Sequence, residues 1–179
     1  MGRDAIQPFL SYRNKGTFVL VKTSNKSSNE LQALPVLPDA TGSADSMSTV
    51  PLYVQVAALC NNVAREFVQE DTSSPLTSGT LRHNAAGGGV GLVVGATDTE
   101  ALRQVRKACP DLWILAPGVG AQGGDLSAAL QAGLCKDGKG MIIPISRGIS
   151  RAQDMGAQAN SYREQINAVR RQVVEGMEV

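Results

Sequence analysis

Histidine is nearly absent from this chain: His83 is alone among 179 residues. Cysteine is scarce too, with Cys60, Cys109 and Cys135 widely spaced, odd in number and never paired as CxxC. One histidine and three scattered thiols give no zinc set and no disulfide framework. His83 has no serine, cysteine or carboxylate constellation around it and reads as a surface histidine. Charge of one sign is missing as well, since 17 basic and 16 acidic residues leave a net +1. Aromatic residues make up only 4% of the chain, and no basic stripe interleaves with them. These absences argue against a nucleic-acid partner or an anionic membrane surface. No apolar run approaches membrane-spanning length, and the N-terminus lacks a charged-then-apolar signal. The expectation is a soluble, cytoplasmic protein with no membrane partner, its Cys60 and Cys109 buried as free thiols in a reducing compartment.

Two nucleotide motifs are also missing. No G-x-x-x-x-G-K-[ST] occurs, so there is no P-loop. The glycine-rich run GVGAQGG at 118–124 is not G-x-G-x-x-G, and no acidic ribose reader follows it at the expected distance. Dinucleotide binding is therefore disfavoured.

What is present centres on LWILAPGVGAQGGD at 112–125 and MIIPISRG at 141–148. Leu112 to Leu115 is a four-residue apolar run, short enough for a strand buried on both faces. It breaks at Pro117 into a loop with Gly118, Gly120, Gly123 and Gly124. Such a loop can bring backbone N–H groups close to an anion. Gln122 is its one long polar side chain and can donate through its amide. About one βα unit later a second apolar run ends in Ser146, Arg147 and Gly148. Arginine forms two parallel N–H bonds to phosphate oxygens. A glycine-rich turn after a strand is often only a tight turn. The arginine at the next strand end adds to the phosphate reading, because both loops would emerge at the C-terminal end of a parallel sheet.

Taken in order, Asp4 to Tyr12 predicts a helix with Ile6, Phe9 and Leu10 on one face. Thr17 to Lys22 predicts a first buried strand opening into Thr23-Ser24-Asn25, which alone reads as a turn or a helix cap. Residues 26–50 predict a long polar loop. Pro51 then starts a helix whose face is Leu52, Val56, Leu59, Cys60, Val63 and Phe67. A second polar, glycine-rich linker covers about 70–89. Val90 to Gly95 predicts a strand, Thr97 to Glu100 a capping box, and Ala101, Leu102, Val105 and Cys109 the next helical face. Leu126 to Ala132 predicts a helix stopped by Gly133. In MIIPI, Pro144 predicts a bulge or strand end. Asn160 is a candidate cap for a last helix with the stripe Tyr162, Ile166, Val169 and Val173.

Four strands, each followed by helix, describe a parallel β/α chain. Four such units are half of an eight-stranded (β/α)8 barrel, in which the phosphate site is commonly built after strands seven and eight. Phosphate-like loops after the third and fourth strands fit the C-terminal half, strands 5 to 8 with their helices.

LVKTSN, VVGAT, ILAPGVGAQGGD and ISRGI, in this order and spacing, resemble orotidine 5'-monophosphate decarboxylase, closest to the branch with many bacterial and protozoan enzymes. The resemblance runs from about Gly2 to the last helix, so residues 1–179 would be the C-terminal part of a single decarboxylase domain. It implies a homodimeric TIM barrel that converts orotidine 5'-monophosphate to UMP in pyrimidine biosynthesis, with neither metal nor organic cofactor. In some organisms the domain is fused to orotate phosphoribosyltransferase. Carried over by position, Gln122 and Arg147 would hold the substrate phosphate, with Gly118 and Gly120 lining its side of the pocket. Ser24 would hydrogen-bond the pyrimidine, with Thr23 its neighbour in the turn and Pro117 beside the site. Ser146 stands where many relatives have glycine, as in bacterial ones.

One part of the family pattern is missing. The family's catalytic array is a lysine after an early strand and an Asp-x-Lys-x-x-Asp run after the third. No Asp-x-Lys-x-x-Asp occurs here. A developing carbanion needs a fixed cation and a proton donor, so no catalytic residue is expected in this chain. The missing N-terminal half would have to supply them. Two alternatives stand beside this: a different reaction on a sugar-phosphate barrel, and a non-catalytic, truncated fragment that binds phosphate or nucleotide.

Overall fold

The computed structural model describes residues 2–12, 15–38, 48–69, 89–120 and 123–176. Gln122, His83 and all of the second linker except Gly89 lie outside the described residues.

The chain begins with α1 (Arg3–Leu10) and β1 (Thr17–Lys22). A 3-10 turn at Lys26–Ser28 and the short α2 (Asn29–Gln32) follow. A small antiparallel pair comes next, β2 (Pro35–Val36) with β3 (Val50–Pro51). The stretch read as a loop over 26–50 thus carries elements at both described ends. The remaining order is α3 (Leu52–Gln69), β4 (Val90–Val94), α4 (Thr99–Ala108), β5 (Trp113–Leu115), α5 (Leu126–Gly133), β6 (Met141–Ile142), α6 (Arg147–Ser150) and α7 (Met155–Glu175). The main sheet has the order β1-β4-β5-β6 with every pair parallel.

Register divides the sheet into two faces, because side chains alternate along a strand. Val19, Leu92, Ile114 and Met141 form one row, and Leu92 and Ile114 within it are fully buried. Against this face lie α3, α4, α5 and α7, each packed on the next. The next row, Leu20, Val93, Leu115 and Ile142, points the other way and stays open, with Leu20 59% and Ile142 42% exposed. Phe18 lies on the same open face, its ring over Gly91, where a β-carbon would stand 2.4 Å from the ring. The expectation of strands buried on both faces is therefore corrected at β1 and β5: among the described residues, helices cover one face only.

The buried faces of α3 and α1 are not those of their bulkiest expected residues. In α3 the buried side chains are Tyr53, Ala57, Cys60, Asn61 and Ala64. Val56 and Val63 flank them, and the expected Leu59 is 44% exposed. Alanine and cysteine let this helix approach the sheet closely, and bulkier aliphatics are displaced to the sides. Phe9 of α1 is likewise exposed, whereas Leu10 is buried. The last helix starts earlier than expected. Asp154, not Asn160, caps α7, its Oδ1 accepting from Ala157 N at 2.9 Å.

At the N-terminal ends of the strands, buried Arg106 of α4 fastens the molecule. Its guanidinium donates to the carbonyls of Gly133 (2.7 Å), Leu112 (2.7 Å), Cys109 (3.0 Å), Gly140 (3.0 Å) and Pro110 (3.2 Å). Burial pushes its pKa down from the ordinary arginine value, partly offset by nearby groups including Cys135 and Asp111.

Candidate functional site at the carboxyl ends of the strands

In a parallel sheet all strands point the same way, so the segments after β1, β4, β5 and β6 share one edge. Backbone bonds continue across the sheet at that edge. Gly95 N donates to Lys22 O (2.9 Å), Ala96 N to Pro117 O (2.8 Å) and Ala116 N to Ile142 O (2.9 Å). Side-chain room is removed at the crossings. A β-carbon on Gly95 would stand 2.9 Å from Ser24 Cβ, and one on Gly124 would stand 2.7 Å from Gly118 O. Ser24 and the Pro117–Gly118 pair, far apart in sequence, are brought to the same edge by these close approaches.

The Thr23–Asn25 turn is held from behind. Thr23 N donates to Gln32 Oε1 (3.0 Å), and the Thr23 hydroxyl lies 3.1 Å from the same oxygen. Lys22, only 1% exposed, donates from Nζ to Ser28 Oγ (2.6 Å) and Asn29 Oδ1 (2.8 Å). Asp98 Oδ2 is 3.9 Å from the ammonium, while its Oδ1 caps α4 through Ala101 N (2.9 Å). A cavity of about 310 Å³ opens here, lined among others by Lys22, Thr23, Ser24, Asn25, Thr97 and Asp98. It is a polar recess with donors and acceptors of both kinds.

The loop after β5 is a closed ring of backbone bonds. Gly118, Gly120 and Gly123 have φ of 107°, 74° and 85°, a region other residues rarely enter. Gly123 N donates to Gly120 O (2.8 Å), Gly120 N to Gly124 O (3.1 Å) and Gly124 N to Gly118 O (3.1 Å). The Gly120 N–H is therefore engaged within the loop. After β6, the chain passes Pro144 and Ser146 and turns into α6, whose first residue is Arg147. Arg147 is exposed, and among the described residues its side chain makes no hydrogen bond or ion pair. Gly148 meets the Tyr162 hydroxyl, 2.8 Å from where its β-carbon would be. Sequence reasoning missed Lys22, Asp98 and Tyr162 as neighbours of this edge. Lys22 closed a strand pattern, Asp98 fell inside the expected Thr97–Glu100 capping box but is itself the cap of α4, and Tyr162 fitted an apolar stripe.

Asp137 and Lys139 reproduce the first two positions of an Asp-x-Lys-x-x-Asp run, but Ile142 stands at the last. They lie in the turn before β6, at the opposite end of the sheet. A second cavity there, about 280 Å³, is lined by Asp137, Asn167, Arg170 and Arg171 among others. Among the described residues no His/Cys/Asp/Glu cluster could hold a metal. No described helix is long and apolar enough to cross a membrane.

The sequence model of the orotidine 5'-phosphate decarboxylase / HUMPS family matches residues 1–162. This chain belongs to that family. It is 39% identical to orotidine 5'-phosphate decarboxylase of Roseiflexus castenholzii, over 97% of the chain and 55% of the relative. Identity to the Thermomicrobium roseum enzyme is 41%, over 95% of the chain and 50% of the relative. A crystal structure from Toxoplasma gondii, assigned as an orotidine-monophosphate decarboxylase, matches with a TM-score of 0.83 and 66% identity. That match covers 98% of this chain and 57% of the other. Leishmania donovani UMP synthase matches with a TM-score of 0.71 and 45% identity, over 95% of this chain and 31% of that one. The chain thus spans about half the length of the curated family members it matches.

Proposed function

We propose that this chain is the C-terminal half, strands 5 to 8, of an orotidine 5'-monophosphate decarboxylase (β/α)8 domain, the half that binds phosphate and pyrimidine. One observation carries the reading. A four-stranded parallel sheet covered on one face by helices gathers TSN, the glycine loop and the SRG turn along one edge. In a closed barrel the open face would be interior, and the phosphate loops would follow strands seven and eight. In this reading Arg147 and Gln122 grip the phosphate, while Gly118 and Gly120 give it room. Ser24 hydrogen-bonds the pyrimidine, with Thr23 and Pro117 framing it.

The chemistry of orotidine monophosphate decarboxylation is loss of CO2 and protonation of the carbanion left at C6. A fixed ammonium and a carboxylate lower that barrier through charge placed before the reaction begins. The chain contributes binding energy and orientation; the N-terminal half contributes the Lys/Asp array. No metal or organic cofactor is required, and the assembled enzyme would be a cytoplasmic homodimer acting in pyrimidine biosynthesis. The test is turnover. The purified chain should not convert orotidine monophosphate to UMP above background, and adding the N-terminal half in trans or by fusion should restore conversion. Turnover by the chain alone would overturn the division of labour, and an inactive, well-folded fusion would overturn the substrate.

A further inference from the structure

Tyr162 sits in the second turn of α7, half-buried, and its hydroxyl reaches the seam between the two phosphate-like loops. A β-carbon on Gly148 would stand 2.8 Å from that hydroxyl oxygen and 2.9 Å from Ile145 Cγ2. One on Gly120 would stand 3.8 Å from the same oxygen. The two glycines are glycine for different reasons. Gly120 has φ of 74°, so its backbone alone demands the residue. Gly148 is not among the positive-φ glycines, so space is what demands it, and Tyr162 occupies that space. Among the described residues the hydroxyl has no hydrogen-bond partner. A phenylalanine would fill the apolar stripe of α7 equally well, so packing on Ile166 and Val169 does not account for the oxygen.

Resting on the phosphate assignment above, we propose that Tyr162 is a positioning residue for phosphate binding. Its ring and hydroxyl hold Gly148, and with it the adjoining Arg147, at a set separation from the loop at Gly118–Gly120. A phosphate monoester would then be held between Arg147 and the glycine loop. Remote control of a charged side chain in this way changes the affinity for the anion and leaves the nucleoside part of the ligand alone.

The experiment measures Kd for UMP and for uridine by calorimetry on the full chain, with Tyr162→Phe, Gly148→Ala, the double variant and Arg147→Ala. Gly148→Ala should weaken UMP roughly tenfold, about the effect of misplacing one charge-assisted contact, and leave uridine unchanged. Tyr162→Phe should weaken UMP severalfold. In the double variant part of the Gly148→Ala loss should return, because the oxygen that met the new methyl is gone. A tyrosine with a purely structural role would lower affinity for both ligands alike or show no recovery, and either result overturns the proposal. If Arg147→Ala is selectively defective for UMP while the Tyr162 and Gly148 variants are not, only this inference fails. If Arg147→Ala binds UMP normally, or a soluble, folded form of the unsubstituted chain, alone or with its complementary half, binds no UMP, the phosphate assignment fails with it.

Discussion

Arg147 is exposed at the first position of a four-residue helix, and its side chain has no ion-pair partner among the described residues. Removing it should cost the fold little and, on the proposed reading, a phosphate ligand a good deal. Arg147→Ala should weaken UMP by about 1.5–3 kcal/mol, the worth of a hydrogen bond to a charged group, and barely change uridine. Equal losses for both ligands in a titration would take Arg147 out of the phosphate site. A second residue-scale prediction concerns the thiols. Burial pushes Cys60 up to about 11, and burial first and then Cys60 push Cys109 up to about 12, from 9.0. Both folded values are raised, so the stability these thiols contribute is fully present below pH 9.0 and is lost as pH climbs toward 11–12. Urea unfolding should give a flat stability from pH 7 to 8.5 and a decline above it, reduced in a Cys60→Ala, Cys109→Ala variant. A decline of the same size in that variant would assign it to other groups. Lys22 shows why a period-two pattern misled at this scale. Alternation puts it beside Leu20 on the open face, but the register slips between Leu20 and Lys22. That slip turns the ammonium toward Ser28 and Asn29, which no pattern of apolar residues encodes.

At the scale of elements, α7 offers the cleanest discrimination between pattern and structure. Asp154→Ala removes the acceptor for Ala157 N and should cost about 1 kcal/mol, whereas Asn160→Ala, in the helix interior, should be neutral or slightly stabilising. Paired denaturant melts decide, and the reverse order of the two variants would restore Asn160 as the cap. The strands β1 and β4 and the stop near Pro110 were legible because β-branched runs and proline act locally, whereas the cap of α4 is Asp98, one residue after the Thr97 that the expected capping box would use. The face of α3 was legible only in part. The expected Cys60 is buried and Val56 and Val63 pack on the core, but Tyr53, Ala57 and Ala64 are buried too and Leu59 is not, since tertiary packing decides which small residues turn inward. At the candidate site, residue type alone pointed to the glycines and to Arg147 as candidates for holding phosphate. Tyr162 fitted an apolar stripe in the sequence, and only the fold brings its hydroxyl against Gly148.

At the scale of the whole molecule, one face of the main sheet is open among the described residues. Phe18, Leu20 and Ile142 are 39%, 59% and 42% exposed on one sheet face, and β1 and β6 end the sheet at its two edges. Full burial of large apolar side chains is worth roughly 1.5–3 kcal/mol each, so covering this row is strongly favoured. Open parallel edges also pair readily with other chains. The chain should therefore not persist as a compact monomer: it should dimerise through these edges, bind its complementary half, or aggregate. Trp113 is the sole tryptophan and lies on the open face beside Gly91, so its emission can follow what covers that face. Adding the N-terminal half should shift Trp113 emission to the blue, convert the sedimenting species to one of defined mass, and slow amide exchange in β1 and β6 to the level of β4. A sharp monomer boundary for the chain alone, with both edge strands already as protected as β4, would mean that this sheet needs no second half.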